Sequence, residues 1–165
     1  MLAPGNYGED FATNVLGIPP HRIVNMSNFV GHVLKEVQRI GFTRVLMVGH
    51  MGKFVKVAGG IFSTHSKDSD ARMEIIMANL ALLGAPVELL EKVDQCITTD
   101  AAGTLIEEYH YEEVYQVLVD KMKFRSERLL RNRKPEVSID VVTFGTEAGY
   151  LASTQTLEEI AEEWT

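Results

Sequence analysis

The sequence has 165 residues, of which 45% are hydrophobic and 24% charged; this suits one folded domain with a buried core and excludes a disordered chain. A net charge of −7 argues against a nucleic-acid-binding protein, which needs a basic face, although a local basic pocket for a small anion stays compatible with it. No apolar run has the length of a membrane-spanning helix, and the single cysteine, Cys96, excludes an internal disulfide, so we expect a cytoplasmic protein without a membrane partner.

The first third of the chain alternates short apolar strands with amphipathic helices. The predicted elements are, in order, a strand ending at Leu2-Ala3, a helix over 8–16, a strand over 22–26, a helix over 29–40 and a strand over 43–48. Ser27 or Asn28 is the expected N-cap of the second helix. Strand, helix, strand, helix, strand at this spacing predicts βαβ units and therefore a parallel sheet.

The remainder of the chain is mostly helical in pattern. Helices are predicted over 70–83, 87–93, 101–109, 111–131 and 157–164, with one further strand over 137–142 and Thr156 as the cap of the last helix. We therefore predict a single α/β domain over residues 1–165. Its expected architecture is a mainly parallel sheet with helices on both faces, a Rossmann-like three-layer arrangement, and a helical C-terminal part.

Two polar segments follow predicted strands and precede helices. Pro4-Gly5-Asn6-Tyr7-Gly8 follows the first strand, and Ser27-Asn28 follows the second. Ligands of open α/β sheets gather at the carboxyl ends of the strands, and helix N-termini favour anionic groups. An ordinary turn in the first segment and simple helix capping in the second are the alternatives.

The segment Gly49-His50-Met51-Gly52-Lys53-Phe54-Val55-Lys56 follows the third strand and is the richest in functional groups. It is not a phosphate-binding P-loop, because Met47 stands where that motif needs its first glycine and Phe54 where it needs Ser or Thr. We expect a flexible loop that carries an imidazole and two ammonium groups. Solvated lysines are the alternative interpretation.

A polar run over 64–72 leads into the next helix. In it, His65 could act as a base, and Lys67 and Arg72 could bind carboxylates, whereas Ser66, Asp68 or Asp70 could simply cap the helix. A serine hydrolase lacks support, because the chain has no Gly-x-Ser-x-Gly elbow. A protein-bound metal also lacks support, because His50 and His65 belong to no compact ligand motif.

Four ordered segments together resemble the CbiD family. They are Pro-Gly-Asn-Tyr-Gly at 4–8, Ser-Asn-Phe-Val-Gly at 27–31, Gly-His-x-Gly-Lys-x-x-Lys at 49–56, and Thr-His-Ser at 64–66 with Asp-Ala-Arg at 70–72. The resemblance is strong over about residues 3–90 and looser beyond them. Family polypeptides are about twice this length, so the chain resembles their C-terminal half.

The resemblance implies that S-adenosylmethionine donates a methyl group to ring carbon 1 of a cobalt-containing corrin precursor, cobalt-precorrin-5B. It implies His50 and His65 as catalytic residues, with no metal held by the protein. The implied contacts to substrate or methyl donor are Gly5, Asn6, Tyr7, Gly8, Ser27, Asn28, Gly49, Gly52, Lys53, Lys56, Thr64, Ser66, Asp70 and Arg72. A non-catalytic corrinoid-binding fragment without a methyl-donor site is the alternative, and homo-oligomerisation stays open.

The strand-end segments should meet in space, because parallel strands present their carboxyl ends at one edge of the sheet. We expect Asn6, Asn28 and His50 to face a common cleft, with His65 near its rim. Since the acidic residues cluster mainly after residue 88, the cleft should be locally positive on this acidic protein.

Overall fold

The computed structural model describes residues 1–165 and has a mixed α/β fold with five strands and eight helices. The strands are β1 (Leu2–Ala3), β2 (Val24–Asn25), β3 (Arg44–His50), β4 (Ser138–Gly145) and β5 (Gly149–Ser153). The helices are α1 (Asn6–Asn14), α2 (Val30–Arg39), α3 (Met51–Ala58), α4 (Arg72–Leu82), α5 (Val87–Asp94), α6 (Thr99–Glu108), α7 (Val114–Leu130) and α8 (Leu157–Trp164).

The five strands form one sheet in the order β2-β1-β3-β4-β5. The first four strands are parallel to their neighbours, and only β5 runs antiparallel, against β4. The longest pairing runs from Arg44 opposite Ser138 to His50 opposite Phe144. The mainly parallel sheet predicted from the sequence is confirmed, and it brings the carboxyl ends of β1, β3 and β4 to the same edge.

The core has two parts, divided by the alternation of side chains along β3. Val45 and Met47 join a cluster that includes residues of α2, α3 and α7. Leu46 and Val48 join a second cluster, with Ala12 of α1 and further residues from β4 and α8. Since successive strand residues point to opposite faces, the two clusters lie on the two faces of the sheet.

Two elements differ from the sequence prediction because tertiary packing overrides local signals. The segment after β3 is the helix α3 rather than a flexible loop, and its apolar side chains Phe54, Val55 and Val57 are fully buried. The C-terminal part is not only helical, because β5 folds back on β4. Burying an apolar helical face outweighs the two glycines that suggested a loop.

Several predicted boundaries were wrong by a few residues. The strand predicted over 22–26 is shorter, because Pro20–Arg22 forms a 3-10 turn before β2. Neither Ser27 nor Asn28 caps α2, which begins after Phe29 without a side-chain cap. The helix predicted from residue 70 starts at Arg72, also without a side-chain cap. Thr156 caps α8 as predicted, in a reciprocal capping box with Glu159.

None of the eight helices is both long enough and apolar enough to cross a membrane. No three His, Cys, Asp or Glu side chains lie close enough together to hold a metal ion.

Candidate functional site

A cleft of about 1040 Å³ lies at the carboxyl edge of the sheet, where β1, β3 and β4 end. Most of the residues proposed from the sequence line it, namely Gly5, Asn6, Tyr7, Gly8, Asn28, His50, Gly52, Lys53, Lys56, Thr64, His65, Ser66 and Arg72. The expected convergence of Asn6, Asn28 and His50 on one cleft, with His65 beside them, is therefore confirmed. Ser27, Gly49 and Asp70 do not line the cleft.

The glycines of the motifs allow close packing between helices and strands. A Cβ on Gly8 would lie 2.8 Å from the Val48 carbonyl oxygen, and a Cβ on Gly49 would lie 2.6 Å from the ring of buried Phe54. Gly5 has a φ of 96°, in the region that favours glycine, where the chain turns from β1 into α1. A side chain at Gly8 or Gly49 would displace its packed neighbours, whereas at Gly5 a side chain would strain the backbone of the turn.

The cleft carries three cationic side chains, Lys53, Lys56 and Arg72, against two carboxylates, Asp10 and Asp100. Its formal charge is thus positive on a protein of net charge −7, as predicted, although the excess is small. The Lys53 ammonium donates to the Pro4 carbonyl at 3.2 Å, which ties α3 to the turn after β1. Burial lowers the pKa of Lys53, because desolvation disfavours its charged form.

Lys56 is not a freely available cation. Its side chain is 3% exposed, and its ammonium donates to the carbonyl oxygens of Thr64 at 3.0 Å and Ser69 at 2.9 Å. Burial and the nearby Arg72 guanidinium lower its pKa. Lys56 therefore anchors the 64–69 segment at the wall of the cleft, rather than projecting toward a ligand as the sequence interpretation had it.

Arg72 is half-buried, and its Nε donates to Asp70 at 2.9 Å. The guanidinium holds the pKa of the Asp70 carboxyl below its usual range. Asp70 is exposed and lies outside the cleft. Because it accepts a hydrogen bond from Nε of Arg72, the other N–H groups of the guanidinium can donate to a ligand. Asp70 acts on the site through Arg72 and is not a lining residue.

The imidazole of His50 is fully engaged by the protein, which argues against its proposed role as a base. Its Nδ1 accepts a hydrogen bond from the Gly52 backbone N–H at 3.0 Å and so caps α3. Nδ1 must then be unprotonated, and Nε2 carries the hydrogen in the neutral ring. Nε2 lies 3.0 Å from the Thr146 hydroxyl and 3.4 Å from the Asp100 carboxylate. The lone pair that a base needs is already used in capping the helix.

His65 is the more available of the two imidazoles. Its Nδ1 accepts from the Lys67 backbone N–H at 3.1 Å, while Nε2 has no partner in the protein and the side chain is exposed at the cleft. The segment that carries it is held on one side by Lys56. On the other side, the segment is held by Asn28. The Asn28 backbone carbonyl accepts from the Thr64 backbone N–H at 3.1 Å, and the Asn28 side-chain oxygen accepts from the Thr64 hydroxyl at 3.3 Å.

An apolar wall complements these polar groups. The rings of Phe11 and Phe144 stack at 4.3 Å between centroids, and both residues line the cleft. Tyr7 adds a side chain that is 78% exposed at the same site. The cleft can therefore receive a flat, largely apolar ring system whose edges carry anionic groups.

Three helices begin at the cleft, since the first residues or caps of α1, α3 and α6 line it. Unsatisfied backbone N–H groups and the helix dipole make each such end locally positive. They add to the attraction for anions that the side chains provide.

Sequence reasoning missed two segments that line the cleft. Thr98-Thr99-Asp100 opens α6, where the Thr98 hydroxyl caps the helix by accepting from the Ala101 N–H at 3.1 Å. Phe144-Gly145-Thr146 spans the end of β4, with Thr146 just beyond the strand. Ser or Thr before a helix and polar residues after a strand are both recognisable signals. The second was lost because β4 was predicted to end at Val142, three residues early.

Asp100 joins the two missed segments to His50. One carboxylate oxygen accepts from the Thr146 backbone N–H at 2.8 Å, and the other accepts from the Thr146 hydroxyl at 3.0 Å. Together with the His50 contacts, these bonds fix the relative positions of the ends of β3 and β4 and the start of α6.

Comparison with known proteins identifies the family. The model of the family described as "CbiD, C-terminal domain" matches residues 63–155. A protein of Listeria welshimeri named cobalt-precorrin-5B C(1)-methyltransferase is 60% identical over 164 residues, covering 99% of this chain and 44% of the relative. Proteins of the same name are 43% identical in Clostridioides difficile, over 98% of this chain and 40% of the relative, and 44% identical in Citrobacter koseri, over 99% and 43%.

No solved structure matches the chain. The chain spans less than half the length of the relatives that it matches. The family match covers more than half of the chain, and the similarity to these relatives extends along nearly all of it. The chain belongs to the CbiD family.

Proposed function

We propose that this chain takes part in the transfer of a methyl group from S-adenosylmethionine to ring carbon 1 of cobalt-precorrin-5B. The observation that carries the proposal is the cleft of about 1040 Å³, which combines cationic groups with a stacked aromatic wall. A corrin precursor is a large macrocycle with acetate and propionate groups at its edge, and the cleft offers complementary chemistry to both parts. The names of the relatives supply the identity of the acceptor.

In this proposal, Lys53 and Arg72 bind carboxylates of the corrin ring by charge-assisted hydrogen bonds. The Phe11 and Phe144 rings contact the macrocycle, and Asn6 and Asn28 supply uncharged polar contacts. S-adenosylmethionine supplies, when bound, a methyl group made electrophilic by the sulfonium. The task of the chain is then to hold the acceptor carbon in line with that methyl group and to exclude water.

Proton handling in this proposal falls to His65, because its Nε2 is open to a ligand. His50 is a positioning residue that acts through the cap of α3 and through Thr146. We also propose that residues 1–165 form a single domain with a Rossmann-like three-layer arrangement. The reaction would take place in the cytoplasm.

The test is incubation of the chain with cobalt-precorrin-5B and S-adenosylmethionine labelled with ¹³C in its methyl group. The proposal predicts a new labelled methyl signal at ring carbon 1 and none when S-adenosylhomocysteine replaces the donor. A chain that binds the corrinoid but leaves all label in the donor would contradict catalysis by this chain and favour a corrinoid-binding role.

A further inference from the structure

The strand β3 is paired along its whole length on one side but only in part on the other. All its residues, Arg44–His50, have partners on β4. On the opposite side, β1 contributes a single register pair, Leu2 opposite Met47. This register leaves no residue of β1 beside Arg44 or Val45. We call the open stretch beside these two residues the β3 gap.

Backbone groups of β3 face the β3 gap. The Thr43 carbonyl accepts from the Ser138 N–H of β4 at 2.9 Å, so Thr43 turns its backbone groups toward β4. Successive residues of a strand turn these groups to opposite sides, so Arg44 and Leu46 turn theirs toward β1. Both N–H groups and the Arg44 carbonyl therefore lie in strand geometry with no residue of β1 opposite them. Such a row of backbone groups is a template for a further strand.

A cavity of about 360 Å³ adjoins the β3 gap, because Arg44 and the residues that lead into β3 line it together with the end of α8. Trp164 also lines this cavity, and its buried indole N–H has no hydrogen-bond acceptor in the protein. Buried polar groups are normally paired, so an unpaired one calls for an explanation. Phe42, another lining residue, is an exposed apolar side chain. The cavity thus offers an unpaired donor and an apolar contact to a chain that enters it.

The other side of the β3 gap is formed by the ladder that joins β1 to β2. The Met1 carbonyl accepts from the Val24 N–H at 3.0 Å, and the Met1 ammonium donates to the Arg22 carbonyl at 2.9 Å. These bonds extend the parallel pairing of the two strands toward the gap. The Arg22 guanidinium donates to the Trp164 carbonyl at 3.2 Å, which joins this side to the wall of the cavity. A strand that continued the ladder in the same direction would lie in the β3 gap.

We propose that the β3 gap receives an extended stretch of polypeptide, parallel to β3, from the part of the family's length that this chain does not cover. The chain covers 44% of the Listeria welshimeri relative, and the matching family model is that of the C-terminal domain. The remaining length therefore lies mainly before the matched region, in line with β1. The added backbone pairs with Arg44 and Leu46, and its carbonyl groups bring into the cavity the kind of acceptor that Trp164 lacks.

Amide hydrogen exchange in a chain extended at its N-terminus tests the proposal. The extension consists of the four residues that directly precede the matched region in the Listeria welshimeri relative. We expect exchange of the Arg44 and Leu46 amides to slow by at least about tenfold, because each gains a hydrogen-bond acceptor. Val45, whose backbone faces β4, is the internal control and should change little. Acrylamide should also quench the fluorescence of Trp164, the single tryptophan, less efficiently in the extended chain.

A second extension of the same length, Gly-Pro-Gly-Pro, is the matched control. It lengthens the chain equally and also moves the terminal ammonium away from the sheet. Its prolines occupy the two positions that would face β3, and proline has no N–H to donate to a ladder. Exchange of the Arg44 and Leu46 amides in this control should therefore stay close to that of the unextended chain.

Three results would overturn the inference. The first is unchanged exchange at Arg44 and Leu46 in the chain with the relative's residues, and the second is equal slowing by both extensions. The third is slowing in the unextended chain that grows with protein concentration and accompanies a dimer in sedimentation, because it would assign the β3 gap to a second copy. The inference does not depend on the proposed methyl transfer, which the labelled-methyl assay measures separately.

Discussion

Replacement of His50 by alanine should destabilise the fold by about 1.5 to 2 kcal/mol. The change removes the cap of α3, in which Nδ1 accepts from the Gly52 N–H, and caps are worth about 1 kcal/mol. It also removes the hydrogen bond between Nε2 and the Thr146 hydroxyl, worth about 0.5 to 1 kcal/mol net. The contact between Nε2 and the Asp100 carboxylate, at 3.4 Å and partly exposed, adds little.

His50→Asn is the matched variant, because the asparagine oxygen can still accept from the Gly52 N–H. It should recover about 1 kcal/mol of the loss. Urea unfolding followed by fluorescence of Trp164, the single tryptophan, measures both variants. Equal destabilisation of the two variants, or none in His50→Ala, would refute the capping role. In the methyl-transfer assay, His50→Asn should keep most of the activity, whereas loss of a general base costs roughly 100- to 10,000-fold.

Lys53→Ala should weaken binding of a carboxylate-bearing corrinoid by about ten- to a hundredfold, as measured by calorimetry. The control is Lys35→Ala, which changes an exposed residue outside the cleft and should leave the affinity unchanged. Because burial lowers the pKa of Lys53, the ammonium loses its proton below a pH of about 10.4, the usual pKa of lysine, and corrinoid affinity should decline as the pH rises toward that value. Constant affinity up to that pH would contradict the lowered pKa. Gly49→Ala should destabilise the fold by about 1 to 3 kcal/mol in urea unfolding, since its Cβ would meet the buried ring of Phe54, and a neutral effect would contradict the close packing. Burial raises the pKa of Tyr115 to about 12. When the absorbance of tyrosinate is followed as the pH is raised, Tyr115→Phe should remove the transition that has its midpoint at about pH 12. If that transition remains in the variant, it belongs to another tyrosine.

Most strands and helices were predictable in order, because the apolar periodicity of each long element agrees with its place in the fold. β3 and α7 are examples, the first a continuous apolar run and the second a long amphipathic pattern. The helix α3 was missed because Gly49 and Gly52 suggest a loop locally. Its formation depends on burying Phe54 and its neighbours against distant parts of the chain, which no local signal reports.

The location of the site was predictable, but the state of its side chains was not. Strand-end segments converge in any parallel sheet, so Asn6, Asn28 and His50 could be brought together from the sequence alone. The sequence does not reveal that Lys56 is buried against two carbonyl groups or that the Nδ1 of His50 is used in a cap. Both depend on distances of about 3 Å between atoms fixed only by the folded chain.

Paramagnetic broadening in a ¹H–¹⁵N NMR spectrum shows directly whether the basic cleft receives the corrin ring. A polycarboxylate corrinoid such as cobyrinic acid, in its Co(II) form, broadens amide signals near the bound metal, and its diamagnetic Co(III) form is the control. Binding in the cleft predicts broadening centred on Asn6, His50 and Ser66. Broadening centred instead on Phe42 and Trp164, which line a separate cavity, would contradict binding in the cleft.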